Sequence, residues 1–186
     1  MVNFDADTHI YTDESGIVLS SVTNILAAEG LATYFNQDPW YMERGRAIHA
    51  CCEFLDKKVL ACESVDPAIA GFLDAYQKFL YDTEYEFEHI EEPLSHPIYK
   101  YAGTPDRFLP LLDIKGAQGN ILQLEGYAEL LRANKINPGR EAYTLHLKED
   151  GTYKLETHKL NRQLLGVFLS AVTIHNYKRG ANNGKY

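Results

Sequence analysis

The sequence predicts an α/β chain of the mixed α+β kind, with a central mixed sheet flanked by helices and a helical part at its N-terminal end. Three observations predict it. Apolar residues recur at helical spacing up to about residue 82. From Tyr85 to Ile114 the pattern changes to β-branched and aromatic residues broken by Pro93, Pro97, Gly103 and Pro110, which reads as short strands in hairpins. After that, one helical stretch precedes two runs of strand character and a last helical run.

With 186 residues, of which 45% are hydrophobic, the chain can bury one sizeable core but not two. A single domain over 1–186 is expected, divided into a helical part (1–82), a sheet core (83–178) and a disordered tail (179–186). Mean hydropathy is -0.32 and no run approaches a membrane span, so no membrane partner is expected. Met1 to Asp7 lacks the basic start and apolar stretch of a secretory leader, and a cytoplasmic protein is expected, of a cell or of a virus inside one. Cys51, Cys52 and Cys62 make an odd count within helical sequence, which predicts reduced thiols and too few ligands for a zinc or iron-sulfur site. The net charge of -8 argues against a polyanionic partner, but only weakly. A site that gathers carboxylates for a divalent ion is acidic until the ion arrives.

Taken in order, Ser20 or Ser21 caps a helix through Ala28 with Gly30 after its end, and a longer helix runs from about Trp40 to Leu60. Asp66-Pro67 opens a third, with Ile69, Phe72, Leu73, Tyr76, Phe79 and Leu80 at helical spacing. Gly119-Asn120 opens a helix through about Ala133, and Asn137-Pro138-Gly139 is a turn. Strands Glu141 to Leu147 and Tyr153 to His158 flank the turn at Glu149-Asp150-Gly151, and a last helix spans about Leu160 to Tyr177.

The chemistry is concentrated between Gly103 and Lys115. A reversal at Leu109-Pro110 sets Phe108 opposite Leu111, Arg107 opposite Leu112 and Asp106 opposite Asp113. Paired residues share a face with Cβ atoms roughly 4.5 to 5.5 Å apart, and alternation puts Lys115 on the face of Asp113. Pro110 at the second central position calls for a cis bond or a longer loop. Two carboxylates this close repel unless a cation stands between them, and a hard, oxygen-liganded ion such as Mg²⁺ or Mn²⁺ suits the place. The neighbouring Leu111, Leu112 and Ile114 make the strand apolar, so its polar face is better explained by a site than by solvation.

Gly103-Thr104-Pro105-Asp106 followed by Leu112-Asp113-Ile114-Lys115 resembles the core of the PD-(D/E)XK nucleases, in particular their RecB-like branch. The run Gln123-Leu124-Glu125-Gly126-Tyr127 is similar to that family's Gln-x-x-x-Tyr helix, and Gly45-Arg46-Ala47-Ile48-His49 to its upstream Gly-x-x-x-His helix. Ser21 to Leu26, following His9-Ile10-Tyr11, resembles the amino-terminal signature of phage exonucleases and of mitochondrial genome maintenance exonucleases. The likeness runs from His9 to about Leu131. It implies a restriction-endonuclease-like core in which Asp106 and Asp113 are the main metal ligands, with His49, the carbonyl of Ile114 and the upstream acid Glu91 of the Glu91-Glu92 pair beside them. Lys115 would position or activate the attacking water, and Gln123 and Tyr127 would hold the lysine or a phosphate. Two departures stand out: the segment between the two aspartates is short, and Gly116-Ala117-Gln118 replaces the Thr-Gly or Thr-Ser that follows the lysine in many relatives. The four cysteines of iron-sulfur relatives are missing.

The resemblance implies a Mg²⁺- or Mn²⁺-dependent DNA exonuclease in phage replication, recombination or repair, acting on single-stranded DNA or a free end, with a phage single-strand annealing or replication protein as partner. Helices between Ser20 and Leu80 would arch over the site, where Tyr34, Phe35, Trp40, Tyr41, Arg44 and Arg46 offer stacking and phosphate contacts. The alternatives are a flap or junction endonuclease using the same ligands and a catalytically idle DNA-binding accessory protein. His89, His96, His146, His158 and His175 have no ligand spacing with one another and are given no role.

Overall fold

The computed structural model describes residues 2–6, 8–32, 38–115 and 119–182. Its N-terminal end departs from the expected helical part. Strands β1 (Asn3–Asp5), β2 (Ile10–Thr12) and β3 (Val18–Ser21) form an antiparallel meander. Strands of three or four residues are too short to show a period of two, and what holds them is distant. β3 pairs in parallel with β6 (Tyr101–Gly103), and Tyr11 is buried, stacked on Phe4 with ring centroids 4.5 Å apart.

Three helices follow, each started by the cap its sequence provides. The Ser21 hydroxyl accepts the Asn24 N–H at the head of α1 (Val22–Ala28), and Gly30 follows its end at φ +71°. Asp38 caps α2 (Pro39–Asp56) and Asp66 caps α3 (Pro67–Thr83), both with proline in the first turn. α2 stops at Asp56, short of the expected Leu60, because the chain turns through a positive φ at Lys58.

The second half builds the sheet that carries the site. Its strand order is β10-β9-β8-β7-β4, from β4 (His89–Ile90), β7 (Arg107–Phe108), β8 (Leu112–Lys115), β9 (Glu141–Leu147) and β10 (Tyr153–Lys159). β5 (Leu94–Ser95) joins β6 and the meander in a second sheet of order β1-β2-β3-β6-β5. Both sheets are mixed: β8 and β9 are parallel, and the chain crosses between them through α4 (Ile121–Ala133), capped by Asn120. The last helix, α5 (Arg162–Asn182), runs on past Tyr177, so residues 179–182 are helical where a disordered tail was expected; residues 183–186 lie outside the described residues.

The β8–β9 sheet is covered on both faces. Leu112, Ile114, Leu145 and Leu147 pack with Ile48 and Cys52 of α2 and with Phe72, Tyr76 and Phe79 of α3. Phe108, Leu111 and Ala142 pack with Leu124, Tyr127 and Leu131 of α4 and with Phe168 and Val172 of α5. Burying each large apolar side chain contributes roughly 1.5–3 kcal/mol, which fixes α2 on one side of β8 and α4 on the other. Among the described residues, no helix is long and apolar enough to cross a membrane.

Candidate metal centre and active site

β7 and β8 share one register pair, Arg107 opposite Leu112, as the hairpin arithmetic predicts, and the Leu109-Pro110 bond at the turn is cis. Beyond that pair the strands part, and the Asp106 carboxylate fills the gap. Its Oδ2 accepts the Ile114 N–H at 2.6 Å. In a strand the N–H and C=O of one residue face the same edge, so the Ile114 carbonyl is turned to the same gap. Asp106 Oδ1 stands 3.4 Å from His49 Nδ1, which is 3.9 Å from Glu91 Oε1. The Glu91 N–H in turn donates to the Asp106 carbonyl at 3.1 Å, which ties the two acids side by side. One ligand atom from each of His49, Glu91 and Asp106 lies within 4.8 Å of the others. Two carboxylates and an imidazole so placed are a donor set that suits a divalent cation.

Asp113 stands outside that tight trio, engaged from the α4 side. Gln123 Nε2 donates to Asp113 Oδ1 at 3.0 Å and to the Tyr127 hydroxyl at 3.1 Å. Gln123 and Tyr127 are four residues apart on α4, so one helical face presents both. Lys115 Nζ lies 3.1 Å from Asp113 Oδ2 as an ion pair, yet that oxygen is fully buried and receives no aligned hydrogen bond. A buried carboxylate oxygen with unused acceptor capacity beside Asp106 is what a cation-binding site requires.

The electrostatics follow from crowding charge into a closed space. Burial raises the pKa of Asp113 to about 6, against the pull of Lys115. Burial likewise raises that of Glu91. For Asp106, burial works upward, but the neighbouring His49 charge and its hydrogen bond hold the carboxyl well below the usual range. Burial would make His49 neutral, whereas Asp106 keeps its ring protonated up to about pH 10. The imidazolium and Lys115 therefore occupy the role of counter-ion to the acids.

A buried arginine behind these acids escaped the sequence reading. Arg107 has no exposed surface. Its Nε donates to Asp56 Oδ2 at 2.6 Å, and its Nη1 reaches Glu91 Oε1 at 3.4 Å and the Asp106 carbonyl. The Tyr76 hydroxyl donates to the same Asp56 oxygen at 2.7 Å. A chain of contacts thus runs from α3 through the end of α2 to Glu91. The signal in the sequence was slight: an arginine next to an acid in an otherwise apolar strand.

The remaining candidates are distributed unevenly. Glu92 turns to His89, at 2.9 Å, and away from the trio. Arg46 is exposed and three residues before His49, hence on the neighbouring strip of α2. Gly45, one turn before His49, has nothing within 4 Å of where a Cβ would stand, so the approach to the imidazole is open there. Arg44 lies over the rings of Trp40, Tyr41 and Phe72, at 4.7, 5.0 and 5.2 Å from their centroids, and is therefore turned toward α3. At 100° per residue, Trp40 falls about half a turn round α2 from His49. It is exposed and does not share the face of the imidazole, whereas Tyr41, also exposed, lies eight residues before His49 and about 80° round the helix. Tyr34, Phe35 and the segment Gly116 to Gln118 lie outside the described residues. Cys51 and Cys52 are free thiols.

The chain matches no known family model and no curated protein sequence.

Proposed function

We propose that the chain is a metal-dependent deoxyribonuclease with a PD-(D/E)XK-type core, hydrolysing phosphodiester bonds from a free DNA end in phage replication, recombination or repair. The observation that carries the reading is the convergence on one gap between β7 and β8. His49, Glu91 and Asp106 form a cation donor set there, and Asp113 with Lys115, Gln123 and Tyr127 stands directly beside it.

Asp106, Glu91 and His49 would hold the ion, with the Ile114 carbonyl turned to the same gap and Asp113 engaged from the α4 side. Mg²⁺ and Mn²⁺ suit a site dominated by carboxylate oxygen, and Mn²⁺ accepts the imidazole more readily. When bound, such an ion polarises a phosphodiester oxygen and lowers the pKa of water. The protein's own groups do the rest. Gln123 fixes the Asp113 rotamer through Oδ1. Lys115, held at Asp113, donates a hydrogen bond that orients the attacking water and offsets charge developing on phosphate. Arg107 keeps Glu91 and the Asp106 backbone in place from behind.

The test uses end-labelled linear DNA, single-stranded and duplex, and circular single strands, each with Mg²⁺, Mn²⁺ or chelator. The wild type is expected to degrade linear DNA in the presence of metal and to spare circles. Lys115→Ala is expected to lose roughly 10²–10³-fold in rate, and Asp113→Ala at least as much. Cutting of circles would replace the exonuclease by a structure-specific endonuclease. Metal-dependent cleavage that survives both substitutions would refute the site.

A further inference from the structure

The polar face that carries Asp113 and Lys115 continues past β8. In the parallel pairing Asp113 lies beside Thr144 and Lys115 beside His146. On the next strand Glu156 lies beside Thr144 and Lys154 beside His146. Side chains alternate along a strand, so Lys115, His146 and Lys154 form one line across three strands, with Glu156 and His158 at alternate positions of the same face. The opposite face is the apolar one, where Leu112, Ile114, Leu145 and Leu155 pack.

Glu156 is the hub of this row. Its Oε2 is 3.2 Å from His146 Nε2 and 4.0 Å from His158 Nε2, and its Oε1 is 2.5 Å from Lys154 Nζ. His158 Nε2 also stands 3.1 Å from the Thr144 hydroxyl. Three groups able to carry positive charge therefore share a single carboxylate. The side chain of Lys154 keeps 65% of its surface open and those of His146 and His158 20% and 21%, while His146 Nε2 itself is buried, so a ligand meets Lys154 and the outer edges of the two rings. Among the described residues, only the His49 trio has its ligand atoms within 4.8 Å of one another. His146, Glu156 and His158 are spaced as counter-ions rather than as a coordination sphere.

We infer that His146, His158 and Lys154 are the seat of the phosphates next to the scissile one, with Glu156 as the resident counter-ion that a DNA strand displaces. The inference rests on the nuclease reading and extends it from the reacting bond to the path of the strand. Two strand spacings cover roughly 10 Å, so the line from Lys115 through His146 to Lys154 spans a short run of consecutive phosphates leading away from Lys115. In a chain of net charge -8, freeing Lys154 from Glu156 beside Lys115 supplies the local positive charge that a polyanion needs. Glu156 holds the row together in the meantime, which limits side-chain freedom before the strand arrives.

The test measures binding of a fluorescein-labelled 20-nucleotide single strand with Ca²⁺ in place of Mg²⁺, over a range of salt, alongside cleavage of the same strand in Mg²⁺ or Mn²⁺. His146→Gln combined with Lys154→Gln is expected to weaken binding at least tenfold and to lower the slope of log K against log salt by about 0.7, the one ionic contact of Lys154. Glu156→Gln is expected to tighten binding about threefold, a direction that loss of structure cannot produce. Wild-type cleavage with the same affinity and slope in every variant would overturn the inference and leave the nuclease reading standing, as would a Glu156→Gln protein that binds more weakly. A wild type that neither binds nor cleaves the strand would remove both.

Discussion

Burial alone drives the His49 ring toward its neutral form, yet Asp106, 3.4 Å away, keeps it protonated to about pH 10. In the unfolded chain the same ring loses its proton near 6.5. The pair therefore contributes stability that is complete below about pH 6.5 and is lost as the pH rises through 10. In chelator, the unfolding midpoint is expected to fall between pH 7 and 10, and His49→Gln to flatten that fall. A divalent ion needs the neutral ring, so its binding should tighten over the same interval and release a proton. Calorimetry in two buffers of different ionisation enthalpy measures that proton, and binding without proton release would remove His49 from the ligand set. Arg107 offers a second check. Lysine cannot reach Asp56 and Glu91 from one planar fork, so Arg107→Lys is expected to weaken Mn²⁺ binding about 10–100-fold while the far-UV dichroism stays unchanged. Retained affinity would make the arginine merely structural. The hairpin around Asp106, Asp113 and Lys115 was legible in the sequence from its local register, but the direct pairing of Asp106 with Asp113 does not form, because the strands part beyond Arg107 and Leu112 and Asp106 bonds the Ile114 N–H instead. Arg107 was not legible, since its partner Asp56 is 51 positions away and only the packing of α2 on the sheet makes the pairing visible.

The caps, proline-led first turns and the β9–β10 turn are written in neighbouring residues, and these elements could be read directly. The β1–β3 meander could not, because its strands are too short to show a period and are held by β6 from the other half of the chain. Arg44 and Trp40 show the same gap between neighbourhood and face. They precede His49 on α2, but helical rotation carries Trp40 to the far side and lays Arg44 over Phe72 of α3. Two glycines separate packing from access. A Cβ at Gly71 on α3 would fall 1.8 Å from the Glu149 carbonyl oxygen, which is backbone and cannot swing aside. Gly71→Ala is expected to destabilise by about 1–3 kcal/mol. At Gly45 a Cβ meets nothing, and Gly45→Ala is expected to stabilise α2 by up to about 1 kcal/mol. Denaturant titration of both variants checks the signs; destabilisation at Gly45 would mean that the helix is held differently.

For the molecule as a whole, the α4 crossover does most to build the site. It brings β9 alongside β8 in parallel, sets Gln123 and Tyr127 over Asp113, and extends the polar face to His146. The mixed α+β character was readable from the change of period, whereas the division into two mixed sheets depends on pairings between distant segments, which no local pattern encodes. Because the ion would bind the folded chain and not the unfolded one, metal at 100 times its dissociation constant is expected to stabilise by about 2.7 kcal/mol. That corresponds to a rise of roughly 5–11 °C in the unfolding midpoint. The central claim is that the gap between β7 and β8 is a cation site, and anomalous diffraction from crystals soaked in Mn²⁺ tests it most directly. The account predicts a peak at coordinating distance, roughly 2.0–2.3 Å, from an oxygen of Asp106, with Asp113, Glu91 or His49 completing the sphere. A saturated crystal with no peak there, or with its peak on other residues, would contradict it.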